Sequence, residues 1–316
     1  MLPRRAVGSR LASRRQSSRD IGGLLEIQSG EVGLTLLAGS LAGSYATPEL
    51  ITHLEHELGL DRALAVQYWD WLSHVLHGDF GISLLDRRPI GDAIIDRLPV
   101  TLELAGAALL LALLVGIPLG VLSAVRRNSL VDRAVTGMSG LGLALPEFWL
   151  AMLAINLLAL RWAWFPATGI EPISEGLWDN LRSLVLPACT LASGATAAVT
   201  RFTRAGMIEA LASSYARTAL ALGLPRRQLL FRFALRNAMI PVLTVIGVLA
   251  GGLLGGAVLV EQVFAIPGLG DMFVTAVLQK DYPVVQGVAL VLTGAVIGIN
   301  LLVDIGCGML DPRTRG

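Results

Sequence analysis

The side chains that most often do chemistry are scarce in this chain, and their placement excludes more than it offers. All four histidines fall in two pairs, His53/His56 and His74/His77. On a helix each i, i+3 pair shares a face, which suits a metal ion, but two histidines rarely suffice without a third ligand. The expectation is solvated, amphipathic external helices and no metal site. Cys189 and Cys307, the only cysteines, lie far apart in apolar stretches. They are expected to be small buried hydrophobes rather than a disulfide or zinc ligands. Lys280 is the single lysine and follows Val277-Leu278-Gln279, so the G-x-x-x-x-G-K loop that cradles nucleotide phosphates is absent. Neither G-x-S-x-G nor H-E-x-x-H occurs. The chain offers no nucleophile with its base and calls for no cofactor, so it is not expected to be an enzyme.

What is organised is positive charge. ARTALALGLPRRQLLFRFALRNAMIP, from Ala216 to Pro241, holds five arginines and no acid. Its Ala- and Leu-rich first half predicts a helix over 205–224, with Gly223-Leu224-Pro225 as a stop followed by a new start. A second helix is predicted over Arg226–Asn237. A basic amphipathic helix can lie on anionic lipid. Ala212, Ala216, Ala219 and Gly223 form a small-residue stripe that suits close packing against another protein instead.

The elements that position this segment follow from composition. The 316 residues have a mean hydropathy of +0.66 and are 54% hydrophobic but only 16% charged, against about 25% charged in soluble domains. A helix of about 20 apolar residues crosses a hydrocarbon core of about 30 Å. Leu104–Val125, Met239–Val260 and Val284–Val303 carry no charge. Ala134–Leu160 carries one acid, Glu147, beside Pro146, and Ser183–Thr200 is shorter but uncharged. These predict five spanning helices, because a chain in lipid must satisfy its own backbone hydrogen bonds.

Basic and acidic loops alternate between the spans. Arg126, Arg127 and Arg133 face only Asp132, and seven arginines between Arg201 and Arg236 face only Glu209. The other loops carry Glu171, Glu175 and Asp179, then Glu261, Asp271 and Asp281. Positive charge stays inside, so residues 126–133 and 201–238 are expected in the cytoplasm, with the tail that holds Arg313 and Arg315. Glu49–Arg97, with nine acids against four arginines, is expected outside. A net charge of +1 gives no global field to recruit nucleic acid.

Several polar and small residues stand out within the apolar segments. Gly247, Gly251 and Gly255, with Gly252 and Gly256, give overlapping G-x-x-x-G spacing, which serves either a mobile surface beside a pathway or static packing. Polar groups in a bilayer suggest function, so Glu147, Asn156, Asn300 and Asp304 are candidates. Glu261 opens EQVFAIPGLG, expected as a gate at the external mouth; the alternative is an acid solvated at the interface. Trp162, Trp164 and Trp178 read as interfacial anchors.

SYARTALALGL followed by LRNAMIP resembles the cytoplasmic coupling loop of ABC-importer permeases of the dipeptide, oligopeptide and nickel type. GIPLGVLSAVRRNSLVDR (116–133), LALPEFWLAMLAI (143–155), WFPATG (164–169), GGAVLVEQVFAIPGLG (255–270), DYPVVQG (281–287) and DPRTR (311–315) follow the same family in order. ATPELI to GDFGIS (46–83) and RLPVTLELA (97–105) look like its first external region and the entry to the next helix.

The resemblance implies an all-α integral membrane protein, a polytopic helical bundle with an external region over 35–99 and a core over 100–316. It implies a multi-pass permease of the bacterial inner membrane, partnered by a related second permease, two ATPase subunits and an extracytoplasmic binding protein. Coupling to the ATPase would fall to Tyr215, Ala216, Arg217, Ala219, Gly223, Leu224, Arg226, Arg227, Arg236 and Asn237. The pathway or gate would fall to Glu261, Pro267, Gly268, Gly270 and Asp281. Leu220 and Leu222 stand where the family commonly has basic residues, which implies a more apolar partner groove or impaired coupling, and Phe233 stands where it often has His.

Residues 1–34 depart from the family, which normally begins with a sixth span. This Arg/Ser/Gly-rich stretch cannot cross a bilayer. The expectation is a first span lost through a shifted frame or misassigned start. Peptides are the favoured cargo; nickel or another small solute, and a truncated relic that no longer transports, stay open. An ion-coupled carrier is a further class, needing inverted repeats and no ATPase-docking loop.

Overall fold

The computed structural model describes residues 63–310, with the backbone alone at Leu64, Asp304 and 306–310. Two compact units meet in sequence at Asp79 and Phe80. In the first, helix α1 (Leu64–Leu76) is exposed on most of its surface, including Tyr68, Trp69 and Leu76.

The second unit is a succession of helices: α2 (Ile90–Val125), α3 (Leu130–Ala144), α4 (Glu147–Arg161), α5 (Leu177–Ala212), the short α6 (Ser214–Ala221), α7 (Arg226–Phe264), α8 (Leu269–Gln279) and α9 (Tyr282–Leu310). Four of them, α2, α5, α7 and α9, are long and apolar enough to cross a membrane, and α3 with α4 makes up to five. The fold is thus the helical membrane bundle the sequence predicts. At 36 residues, α2 is about 54 Å long and continues beyond any bilayer core.

The span expected over Ala134–Leu160 is two helices bent by 103°. The cause is local. A residue before proline is pushed out of the helical region, and Leu145 (φ −83°, ψ 130°) and Pro146 (ψ 136°) are both extended. From Ile155 to Arg161 α4 widens into π-helical turns, as does α7 from Leu229 to Ala234.

Small side chains set the packing. Leu104, Ala108, Ala112, Gly116, Gly120 and Ala124 recur every fourth residue along α2, and all are buried. This seam lies against α5. A Cβ at Gly120 would stand 2.6 Å from the Thr203 Cβ and 2.7 Å from the Thr200 carbonyl, so only glycine permits the contact. The principal core joins α2 and α5 to Ala151 and Ala159 of α4 and to Leu253, Leu254, Ala257, Val260 and Phe264 of α7. A second core gathers Ile90 and Ile94 with Leu269, Ala276, Val284 and Val288. A third, at the opposite end, holds Ala124, Met207, Ala210, Ala234 and Ala238.

The glycines of α7 divide between neighbours. Gly247 packs on Val303 and Gly251 on Val296 and Asn300, so both serve contact with α9; Gly252 and Gly255 meet nothing within 4 Å. Cys189 corrects an expectation: it is exposed rather than buried, on the outward face of α5 one turn from exposed Val185. Cys307 lies where side chains are not described.

Candidate functional site

At the arginine-rich end, α5 runs on without interruption through Arg201 and Arg204 to Ala212. The helix predicted over 205–224 is therefore broken. Ser213 turns extended (φ −65°, ψ 159°) and its hydroxyl accepts the Ala216 amide, starting α6. Serine is favoured at such a cap because it takes up an otherwise orphaned donor. Gly223 ends the element with φ +78°, a left-handed conformation open to glycine at no steric cost. Pro225 then caps α7, which continues through Asn237 and Pro241 into the membrane helix with no second break.

This fold sorts the predicted coupling residues. Ala216 is fully buried in its own chain and Ala219 half-buried, so the small stripe in part packs α6 onto α5 and the start of α7 rather than facing outward as one surface. The Asn237 amide donates to the Tyr215 hydroxyl at 2.9 Å, tying α7 to α6. Arg217, Arg226, Arg227 and Arg236 are exposed, and Leu224 is half-buried. None of these four arginines has an acidic partner among the described residues. Leu222 is 77% exposed, Leu220 half exposed and Phe231 more than half, so apolar surface sits among free guanidinium groups.

Just above the break lies a cluster the sequence reasoning missed. Arg204 of α5 grips Asp132 of α3 with two hydrogen bonds, Nε to Oδ1 at 2.7 Å and Nη2 to Oδ2 at 2.9 Å. Asp132 also accepts from the Ser123 hydroxyl of α2 (2.5 Å) and the Asn128 amide (2.8 Å). A planar fork on a carboxylate fixes angle as well as distance, so three helices are locked together where α6 departs. The available signal was Asp132 itself, the one acid in an otherwise basic loop.

At the other end, Glu261 is neither solvated nor free. It is fully buried in α7, which corrects the interfacial alternative. Its Oε1 accepts the Thr101 hydroxyl of α2 at 2.7 Å, and Oε2 accepts the Asp271 amide at 3.0 Å. Thr101 in turn accepts the Leu269 amide at 2.8 Å. Gly268 and Gly270 lie directly on the carboxylate, leaving no room for a Cβ. Thr101 had not been singled out, although its partner carboxylate had. Asp271 completes the cluster by accepting from Arg97 (3.1 Å) and Gln262 (3.0 Å).

Pro267 is exposed on the loop between α7 and α8, and Asp281 belongs to a separate buried site, accepting the Ser83 hydroxyl (2.6 Å) and the Leu84 amide (3.3 Å). Glu261, Gly268 and Gly270 therefore come together, and Asp281 does not join them. The arrangement holds the α7–α8 turn shut against α2.

Among the other candidates, Asn156 is exposed on an open groove of about 470 Å³ lined by Met152, Ile155, Leu160, Gln262 and Val263. Asn300 lies against Gly251 with its Oδ1 unpartnered. The side chain of Asp304 is outside the described residues. Trp162, Trp164 and Trp178 are all more than half exposed. His74 and His77 are exposed on α1, each ring Nδ1–H donating to a carbonyl four residues back, of Asp70 and Ser73; the bond to Asp70 raises the His74 pKa above its usual value. His53 and His56 lie outside the described residues, and among those described no group of three ligating side chains could hold a metal ion.

Comparison with known proteins agrees with this architecture. Residues 116–316 match the family model described as binding-protein-dependent transport system inner membrane component, and residues 37–105 match its N-terminal companion. A putative peptide transport system permease protein of Brucella abortus is 42% identical over 275 residues, spanning 87% of this chain and 88% of the relative. The oligopeptide permease AppB of Bacillus subtilis is 40% identical over 81% of this chain and 82% of its own length. The dipeptide permease DppB of Escherichia coli is 39% identical over 85% and 86%. Among solved structures, an inward-facing MetNI methionine ABC transporter chain superposes with a TM-score of 0.59 at 17% identity, covering 69% of this chain and 96% of that one; at that identity the likeness is one of fold.

Proposed function

The chain belongs to the family of binding-protein-dependent transport system inner membrane components, and from that membership we propose that it is the permease subunit of an ABC importer for peptides. It is a multi-pass membrane protein. Its place is the bacterial inner membrane, beside a related second permease, with an extracytoplasmic binding protein delivering cargo. Two separate ATPase subunits hydrolyse ATP. Residues 35–99 form the external region, and the coupling segment within 201–238 faces the cytoplasm.

The observation that carries the coupling role is α6 itself. A two-turn helix is set off by Ser213 and Gly223 and braced by the Tyr215–Asn237 bond. It presents Arg217, Leu220 and Leu222 outward, with Arg226 and Arg227 just beyond. In mechanism, ATP-driven closure of the ATPase pair would move α6. The Arg204–Asp132 grip passes that movement to α2 and α3, while continuous α7 carries it to the Glu261 cluster at the far end. There the α7–α8 turn, with Pro267 at its surface, serves as the external gate.

The test is uptake of labelled di- and oligopeptides by cells lacking the chain and by cells in which it is restored. Restored, ATP-dependent uptake supports the reading; equal uptake in both overturns it.

A further inference from the structure

Six acids in the helical unit are drawn into its packing, and one of them has no partner among the described residues. Glu103 accepts from the Asn180 amide, and Asp271 accepts from Arg97 and Gln262. Asp132, Glu261 and Asp281 each accept at least two hydrogen bonds. Glu147 accepts none among the described residues and forms no ion pair there. It is half-buried, at the first position of α4 in the 103° bend.

Its direction is inward. Phe148, Trp149, Met152 and Leu153 are the exposed residues of this part of α4, whereas Ala151, one turn beyond Glu147, is fully buried. The carboxylate lies over two glycines. A Cβ built on Gly256 of α7 would stand 2.9 Å from Oε2, and one on Gly194 of α5 would stand 3.9 Å from Oε1. Next to Gly194, the Ser193 hydroxyl is also buried without a partner. A bare carboxylate among apolar helices costs free energy, and such residues mark pathways for polar cargo.

We infer that Glu147 is an ammonium-binding subsite inside the translocation pathway, taking the cationic amino group of a peptide as it passes. This inference rests on the peptide-importer reading. An α-ammonium is the one cation shared by peptides of every side-chain composition, so a single carboxylate suits a carrier of mixed cargo. The glycine floor lets the carboxylate lie directly on the helix backbone, where a larger residue would displace it. One unassisted carboxylate binds weakly enough to release its ligand, as conduction through successive sites requires. A lysyl side chain offers the same chemistry, and the choice of peptides separates the two sources.

The test uses the complete importer in proteoliposomes, with its binding protein, ATPases and second permease. Uptake of labelled Ala-Ala and of N-acetyl-Ala-Lys is measured for the wild type, Glu147→Gln, Glu147→Asp and Gly256→Ala. The expected result for Glu147→Gln is uptake reduced at least about tenfold, as when a desolvated cation loses its counter-charge, with ATP hydrolysis stimulated by the loaded binding protein within about twofold of wild type. Glu147→Asp should lie between, and Gly256→Ala should impair uptake by crowding the acid. Loss with Ala-Ala assigns the α-ammonium; loss confined to N-acetyl-Ala-Lys assigns the side chain and keeps the ammonium site.

Wild-type rates of both peptides in Glu147→Gln overturn the inference alone. So does a variant that fails to assemble with the second permease yet transports normally per assembled complex, since the acid would then belong to the interface between permeases. Absence of peptide uptake by the wild type overturns the functional reading, and this inference with it.

Discussion

Arg204 holds Asp132 by two parallel hydrogen bonds of 2.7 and 2.9 Å across 72 residues of sequence. The pair stands eight residues before the end of α5 at Ala212, where movement of α6 must enter the bundle. Arg204→Ala should lower peptide uptake by roughly threefold to tenfold, the range by which residues along a coupling route change their output, while the binding protein still docks. Exchanging the charges, Arg204→Asp with Asp132→Arg, should recover part of the loss. The double-mutant cycle in reconstituted uptake measures it; additive losses with no recovery would show that the pair transmits nothing.

The Glu261 cluster should respond mainly in stability. Glu261→Ala strands the buried Thr101 hydroxyl and the part-buried Asp271 amide, at about 1–3 kcal/mol for the buried group and less for the other. Glu261→Gln keeps an acceptor and should cost about 1 kcal/mol. Thermal unfolding of the detergent-solubilised permease ranks the two; an equal melting temperature for Glu261→Ala and the wild type would contradict the buried bonding.

The α2–α5 seam makes a sharper claim. With only 2.6 Å between a new Cβ at Gly120 and the Thr203 Cβ, Gly120→Ala should destabilise the bundle by about 1–3 kcal/mol, the usual cost of overpacking. Gly106→Ala, on the same helix with nothing within 4 Å, should change little. Parallel melting curves of the two variants check this.

Leu222 is suited to test docking because it is 77% exposed and its loss should not disturb the fold. Leu222→Glu should leave the melting temperature unchanged but weaken ATPase association by about tenfold, the order expected for a charge driven into an apolar groove. Co-purification of the ATPase with the permease reports the effect.

Orientation can be read by labelling. In a background without native cysteines, Leu222→Cys should react with an impermeant maleimide only after the cells are opened. Trp178→Cys, exposed in the first turn of α5 at the other end, should react on whole cells. The reverse pattern would place α6 outside and remove the coupling mechanism.

Much of this architecture was legible because a bilayer imposes length and polarity on every crossing. The uncharged runs around α2, α5, α7 and α9 announced themselves, and Gly223 and Pro225 marked a turn correctly. What escaped the sequence was contact across distance. Nothing near Glu261 in sequence reveals that Thr101 lies on it, and nothing near Arg204 points to Asp132. The break at Ser213 was missed because alanine and leucine on both sides of Ser213-Ser214-Tyr215 favour one continuous helix, so the cap rather than the flanking composition decides. The four-residue seam of α2 was overlooked for the opposite reason: alanine counted there only as apolar, whereas its small size sets the helix spacing.

The continuity of α7 has a geometrical consequence. Its 39 residues form a rod about 58 Å long, with the widened turns at Leu229–Ala234 near one tip and Glu261 near the other. Removing a single residue from the regular α-helical turns between them would shorten the rod by only about 1.5 Å but rotate everything beyond by about 100°. Glu261 would then swing away from Thr101 while α6 stayed where it was. The phase of the helix, more than its reach, is what keeps the two ends of this protein in step.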